Sequence, residues 1–455
     1  MDSKISSLID SYRDEYVRIL RRWLQVPSVK GEPEDGAPFG KEVRRMLDMA
    51  MVDAETMGFM THAFDGYAGD IVLGDCAEDL AVLAHLDVVP AGDGWKTDPF
   101  GAVLEGGRIY GRGTSDDKGP ALAALFAMKA LKEAGVPLKR GIRLILGCDE
   151  ESGWEDMDWY KEHTDMPEVG FSPDASFPVI NTEKALLVME LNATLSNEGL
   201  QVKKLWTGER HNVIPGECRA LLAAGQAEAD KGAAWAKANG LDFTFTVTEE
   251  GLEVVATGVP GHAAYPEGAR NAIGMMLLLL DQLGVQGPLR TLAHTVGMEY
   301  NGASLGIACK DEVSGPLTCN IGILHLKDDG TLYATLDCRC PISIDTPMLR
   351  DTAVKTLAGI QVTTETMKAP HHVPADSDLV SSLLAAYHEE TGLPAEAQST
   401  GGGTYAKVLK QGVAFGAGFP DDEDLAHQAN EYIEIDKMLL SAKIFANAMI
   451  RLAGK

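Results

Sequence analysis

Leu80-Ala81-Val82-Leu83-Ala84-His85-Leu86-Asp87 is the stretch whose reading decides the fold. Five apolar residues in a row and then a histidine do not alternate, as a strand with one wet face would. They read as a strand buried on both faces, the pattern of a parallel sheet. A second apolar run, Ile142–Gly147, has the same character and ends in Cys148-Asp149-Glu150-Glu151. Between the two lies a helical pattern over Gly119–Ala134, with Pro120 near its start and Gly135 just past its end. Strand, helix, strand implies a parallel sheet with crossover helices. The expected fold class is therefore α/β, a mostly parallel sheet with helices on both faces. Ligand sites on such sheets lie beyond the carboxyl ends of the strands, where His85, Asp87, Glu150 and Glu151 fall.

Outward from this core the pattern changes. From 186 to 380, segments such as Leu186–Leu191, Phe243–Thr248, Leu252–Thr257 and Leu332–Arg339 alternate like strands of a half-exposed sheet. Helical patterns near Ala269–Leu283 and Met348–Leu357 lie among them. This is an α+β insertion between a first part, 1–185, and a second part, 381–455, of one discontinuous domain. Pro370–Pro374, which encloses His371 and His372, is the connector back. At the N-terminus, Ile5, Leu8, Ile9, Tyr12, Tyr16, Ile19 and Leu20 recur at helical spacing, which predicts an amphipathic helix and not a signal peptide.

Composition narrows the function classes. Lys and Arg number 40 against 67 Asp and Glu, a net charge of −27. Nucleic acid and anionic membrane both require a basic face, so neither is an expected partner. The longest apolar run, Met275–Leu280, is far shorter than the ~20 residues of a membrane span. Seven cysteines form no framework and include no CxxC, which fits a reducing, cytoplasmic setting.

Several residues carry chemistry. A neutral His85 can bind a metal, and Asp87, two residues on, can orient it; the same histidine could equally be a hydrogen-bonded loop residue. Gly111-Arg112-Gly113-Thr114-Ser115-Asp116-Asp117-Lys118-Gly119 flanks paired carboxylates with glycines, which allows a tight approach of backbone to a bound group; a charged surface turn would show the same pattern. Glu150-Glu151 repel one another unless a cation is near, although a helix N-terminus also tolerates such a pair. Asp174, in Phe171-Ser172-Pro173-Asp174, and His427, in Ala426-His427-Gln428-Ala429-Asn430-Glu431, could each be structural; together with the others they supply a nitrogen-and-oxygen donor set suited to zinc, manganese or cobalt.

These five motifs, in this order and spacing, resemble the cocatalytic dizinc exopeptidases related to carboxypeptidase G and succinyl-diaminopimelate desuccinylase, and within them the PepV-type (carnosinase-like) dipeptidases. The resemblance covers essentially the whole chain. It implies two divalent ions, Zn2+ or alternatively Mn2+ or Co2+. Asp116 would bridge them, His85 and Asp174 would complete one site, and Glu151 and His427 the other. It further implies a metal-bridging hydroxide, Glu150 as general base, Asp87 behind His85, and a cis Asp116–Asp117 peptide. The insertion becomes a lid with two lobes. Its Asn212 matches a lid residue of the PepV type, His262 matches a lid histidine placed over the substrate carbonyl as an oxyanion donor, and Arg339 matches an arginine that pairs with the substrate carboxylate. Gly402, Gly403 and Thr404, in Gly401-Gly402-Gly403-Thr404-Tyr405-Ala406, match a loop facing that carboxylate. Taken alone, His262 could cap a helix and Arg339 could belong to a strand salt bridge. His62, His163, His294, His325, His371, His372 and His388 fall in no such motif and read as structural.

The function implied is hydrolysis of a dipeptide amide bond, with a small peptide as substrate. The rivals are an N-acyl-amino-acid deacylase and a binding protein without activity; a general base beside the metal argues against the latter. The long insertion favours a monomer that uses its own His262.

Overall fold

The computed structural model describes residues 2–327 and 329–455. The chain divides into two compact units, 1–181 with 373–398 and 403–455, and 182–372 with 399–402.

In the first unit, Asp79–His85 lies between Gly141–Gly147 and Val169–Ser172, parallel to both, and Gln411–Ala414 extends the parallel set. Antiparallel strands lie at the margins: Ala68–Leu73 against Gly141–Gly147, and Met60–Phe64 outside it. The central strand is buried on both faces for a visible reason. Leu80, Val82 and Ala84 belong to the main core with Leu122 and Phe126 of helix Lys118–Ala134 and Ile444 and Phe445 of helix Ile435–Ala453. Ala81 and Leu83 face the other way, toward Met157 and Tyr160 of helix Glu155–His163 and toward Tyr405. Helices thus cover both faces of a mixed sheet with a parallel centre, the α/β class expected.

Helix Lys118–Ala134 ends where Gly135 turns left-handed at φ 73°, a conformation glycine adopts without steric cost. At its other end a Cβ on Gly119 would come within 2.1 Å of the Thr114 carbonyl oxygen. Only glycine permits that approach, which folds the Gly111–Asp116 loop back onto the helix start. The N-terminal pattern forms two helices, Ser3–Ser11 and Arg13–Leu24. Tyr12 between them keeps right-handed dihedrals (φ −84°, ψ −1°), so the apolar stripe runs on unbroken, with Ile5, Ile9, Tyr16, Ile19 and Leu20 buried.

The second unit is built on one eight-stranded sheet, in the order Asp242–Thr248, Gly251–Thr257, Glu217–Leu222, Val202–Thr207, Thr318–Leu326, Thr331–Cys340, Ala185–Thr194, Gln361–Lys368. Every pairing is antiparallel. Helix Ala272–Leu283 starts three residues later than its periodicity suggests, because the Asn271 side chain accepts from the N–H groups of Ile273 and Gly274 and caps it there. Thr331–Cys340 alternates only at first and is buried on both faces from Ala334 on. Cys338 and Cys340 enter the apolar core, and Asp337 and Arg339 pair with each other on the opposite face. Among the described residues, no helix is long and apolar enough to cross a membrane.

Candidate metal centre

Three strands of the parallel set deliver side chains to one place. His85 is the last residue of its strand, Glu150 and Glu151 follow Gly141–Gly147 after two residues, and Asp174 follows Val169–Ser172 after one. The Gly111–Asp116 loop brings Asp116, and the loop before strand Tyr432–Glu434 brings His427. His85 Nε2 lies 3.0 Å from Asp116 Oδ1 and 3.6 Å from Asp174 Oδ2. His427 Nε2 lies 3.0 Å from Asp116 Oδ2 and 2.9 Å from Glu151 Oε2. Two groups result, His85/Asp116/Asp174 and Asp116/Glu151/His427. Within each, the candidate ligand atoms lie within 4.8 Å of one another. Asp116 belongs to both, one oxygen toward each histidine. The Asp116–Asp117 peptide is cis.

Buried polar groups hold this arrangement. His85 Nδ1–H donates to the Asp87 carbonyl oxygen at 3.0 Å, which leaves Nε2 facing the carboxylates. The Asp87 carboxylate lies 3.4 Å from Nδ1, and its main bonds are elsewhere. It accepts from the N–H of Glu150 at 3.2 Å and of Glu151 at 3.1 Å, one on each oxygen. One buried carboxylate therefore fixes both acidic residues and flanks the histidine. Asp117 accepts from the His85 N–H at 3.1 Å. Asp156, with no role assigned from the sequence, accepts from the N–H groups of Cys148 and Asp149 and from the Tyr405 hydroxyl. It anchors the same loop from the other side.

The electrostatics are those of anions crowded together. Burial, and then the neighbouring Asp116, push Glu151 up to about 7. Burial holds Glu150 well above the ordinary carboxylate range, with Asp174, Glu151 and Asp116 adding to the effect. His427 is raised to about 11 by its bonds to Asp116 and Glu151. Burial opposes charge on His85, yet Asp116, Asp174 and Asp87 together hold it well above the usual imidazole value. Burial also disfavours the Asp116 anion, but His427 and His85 outweigh it and hold the carboxyl far below its usual range. Two imidazoles and three carboxylates, sharing one bridging residue, form a donor set that fits divalent cations.

The second unit gathers its own set. The Val213–Ile214 and Gly261–His262 strands pair with Val213 opposite His262, and the Ala263 N–H donates to the Asn212 carbonyl at 2.9 Å. Asn212 and His262 are thereby adjacent. The Ala264 N–H donates to His262 Nδ1 at 3.2 Å. Nδ1 is then the acceptor, and the neutral ring carries its proton on Nε2. Arg339 is buried; Nε and Nη2 donate to the two oxygens of Asp337 at 2.7 and 3.0 Å, and Nη1 donates to the Gly401 carbonyl. His211, which sequence reasoning passed over, bonds Asp337 at 2.7 Å. Gly402 belongs to this unit, whereas Gly403 and Thr404 belong to the first, where Thr404 Oγ1 caps the short helix Tyr405–Val408.

An α/β sheet with imidazoles and carboxylates gathered at its carboxyl edge defines the class of metal-dependent hydrolases. The chain belongs to peptidase family M20/M25/M40, whose model matches residues 81–451, and it is a metallopeptidase that uses divalent metal. It is similar to a putative dipeptidase, YtjP, of Bacillus subtilis, 35% identical over 97% of this chain and 98% of that one. It is similar also to the beta-Ala-Xaa dipeptidase of Lactobacillus delbrueckii subsp. lactis, 32% identical over 99% of each. The solved structure of human carnosine dipeptidase 1 shares the fold, with a TM-score of 0.59 at 16% identity over 99% of each chain. The family resemblance drawn from the five motifs is thereby borne out.

Proposed function

We propose that this chain is a cytoplasmic dipeptidase that acts as a monomer with two divalent ions, zinc in the first instance. The observation that carries the reading is the pair of ligand groups joined through Asp116. His85, Asp116 and Asp174 would hold one ion; Asp116, Glu151 and His427 would hold the other. Bound there, the ions would supply Lewis-acid polarisation of the scissile carbonyl and of the attacking water.

The chain's own residues do the rest. Glu150, free of the ligand groups and kept proton-avid by burial, takes the proton from water as its oxygen attacks the carbonyl carbon. It then passes that proton to the leaving amine as the C–N bond breaks. Asp87 keeps Glu150 and Glu151 in fixed relation through its two backbone bonds. The second unit would serve as the lid, the length of the insertion allowing two lobes. From it, the Nε2–H of His262, supported by Asn212, donates to the oxyanion. Arg339, with Gly402, Gly403 and Thr404, receives the substrate carboxylate. Asp337 takes one edge of the guanidinium, which orients the remaining N–H groups.

The test is turnover of Ala-Ala, β-Ala-His and N-acetyl-amino acids by protein loaded with Zn2+, Mn2+ or Co2+. Hydrolysis of the dipeptides is the expected result. Exclusive turnover of the N-acetyl compounds would replace this reading with an N-acyl-amino-acid deacylase, and no turnover of any would leave a metal-binding protein.

A further inference from the structure

Glu431 is fully buried, is a carboxyl group the mechanism does not use, and lies four residues after His427. We propose that Glu431 is a positioning residue that holds the two loop-borne ligands, Asp116 and His427, in register for metal; the proposal rests on the ligand assignment above.

The placement follows from strand register. Tyr432–Glu434 pairs antiparallel with Arg108–Tyr110, Tyr432 opposite Tyr110. The residue before the first strand therefore meets the residue after the second, and the Gly111 N–H donates to the Glu431 carbonyl at 3.0 Å. The Glu431 side chain then runs alongside the loop that leads to Asp116. Oε2 accepts from Arg112 Nη1 at 2.7 Å and the Gly113 N–H at 3.2 Å. Oε1 accepts from Thr114 Oγ1 at 3.2 Å, the Ser115 N–H at 2.8 Å, Ser115 Oγ at 3.1 Å and the Asp116 N–H at 3.3 Å.

A carboxylate that served only to neutralise Arg112 would need one of these six donors. The other five lie on four consecutive residues, 113 to 116, and the last is the backbone of the proposed bridging ligand itself. Backbone N–H groups converging on an anion fix the path of a loop that has no ladder of its own. The partner loop needs the same support, because His427 and Asn430 both adopt positive φ, 63° and 66°. Asn430 braces it from outside, accepting from the Lys96 N–H at 2.8 Å. Glu431 braces it from within. His427 Nε2 and Asp116 Oδ2, 3.0 Å apart, meet across two loops joined through this one carboxylate. His85, at a strand end, has no such dependence.

Glutamine keeps the shape and removes one acceptor. Whichever way the amide turns, an NH2 group faces either Arg112 and Gly113 or the donors of 114–116. The experiment is competition of Zn2+ between the full-length protein and a chromophoric chelator, with unfolding of the metal-free protein followed in parallel. In Glu431→Gln the Zn2+ dissociation constant should rise about 10–100-fold, the usual effect of losing a partner that orients a ligand. Ser115→Ala, which removes one neutral donor to Glu431, should raise it about two- to tenfold and decides the matter if Glu431→Gln does not fold. Asp70→Asn is the comparison. That buried carboxylate of the same unit bonds His62 and Tyr160 and no ligand loop, so its loss should lower stability and leave Zn2+ affinity unchanged. Wild-type affinity in Glu431→Gln, or an equal weakening in Asp70→Asn, overturns the proposal. Asp116→Ala separates the two layers. If it loses Zn2+ while Glu431→Gln does not, only the positioning role fails; if it binds Zn2+ normally, the ligand assignment fails as well.

Discussion

Asp87→Asn tests how the acidic pair is held. The two carboxylate oxygens of Asp87 take one backbone N–H each, from Glu150 and Glu151, at a side chain that is 1% exposed. Asparagine has nearly the same shape but only one acceptor oxygen. In either amide orientation one of the two N–H groups faces an NH2 group in place of an acceptor. Leaving a buried donor unsatisfied costs about 1–3 kcal/mol. The loop escapes that cost only by moving, and movement shifts Glu150 and Glu151 together. Two readouts follow. Urea unfolding of the metal-free protein, followed by tryptophan fluorescence, should show a loss of about 1–3 kcal/mol. Trp154 bonds the Glu150 carbonyl at 2.8 Å, so it reports directly on this loop. At saturating metal, kcat on a good dipeptide should fall about 10–100-fold. If both unfolding and kcat match the wild type, Asp87 does not hold the pair and the reasoning is wrong.

Glu150→Gln should retain metal and lose activity by about 10²–10⁴, whereas Glu151→Gln should lose metal first; elemental analysis with the reverse pattern would mean the roles are exchanged. Metal binding at pH 8 should release about one proton per histidine, since His427 is raised to about 11 and His85 well above 6.5 and a ligating imidazole must be neutral. Affinity should accordingly fall with falling pH, and calorimetry in buffers of different ionisation enthalpy that detects no proton release would refute this. In the metal-free chain, the raised value of His427 contributes stability that is complete below about 6.5 and is lost as pH rises through about 11; a pH titration of unfolding checks the sign. His262→Ala should cut kcat by about 10²–10³ with metal content intact, and mixing it with Glu150→Gln should restore nothing if each chain acts alone.

The sequence by itself determined the class of fold, and for a simple reason. A strand buried on both faces has no freedom to alternate, so Leu80–Ala84 could be read without its neighbours. The N-cap Asn271 shows the limit of that reading. Helix Ala272–Leu283 begins where a side chain can cap it, not where apolar spacing begins. The ligand-type residues were visible as chemistry at strand ends and in glycine-flanked loops. Their convergence was not, because Asp116 and His427 come from segments more than three hundred residues apart, and only the pairing of Tyr432–Glu434 with Arg108–Tyr110 brings those loops together. Glu431 carries the lesson furthest. It was legible only as one more acid after a histidine, since its donors lie 315 to 319 residues away and nothing in local spacing marks them. Asp156 and His211 escaped notice for the same reason. Residue type and periodicity report on a side chain's own chemistry and on which face it takes. What a buried carboxylate holds is decided by which donors the folded chain aims at it, and that is a property of tertiary structure alone.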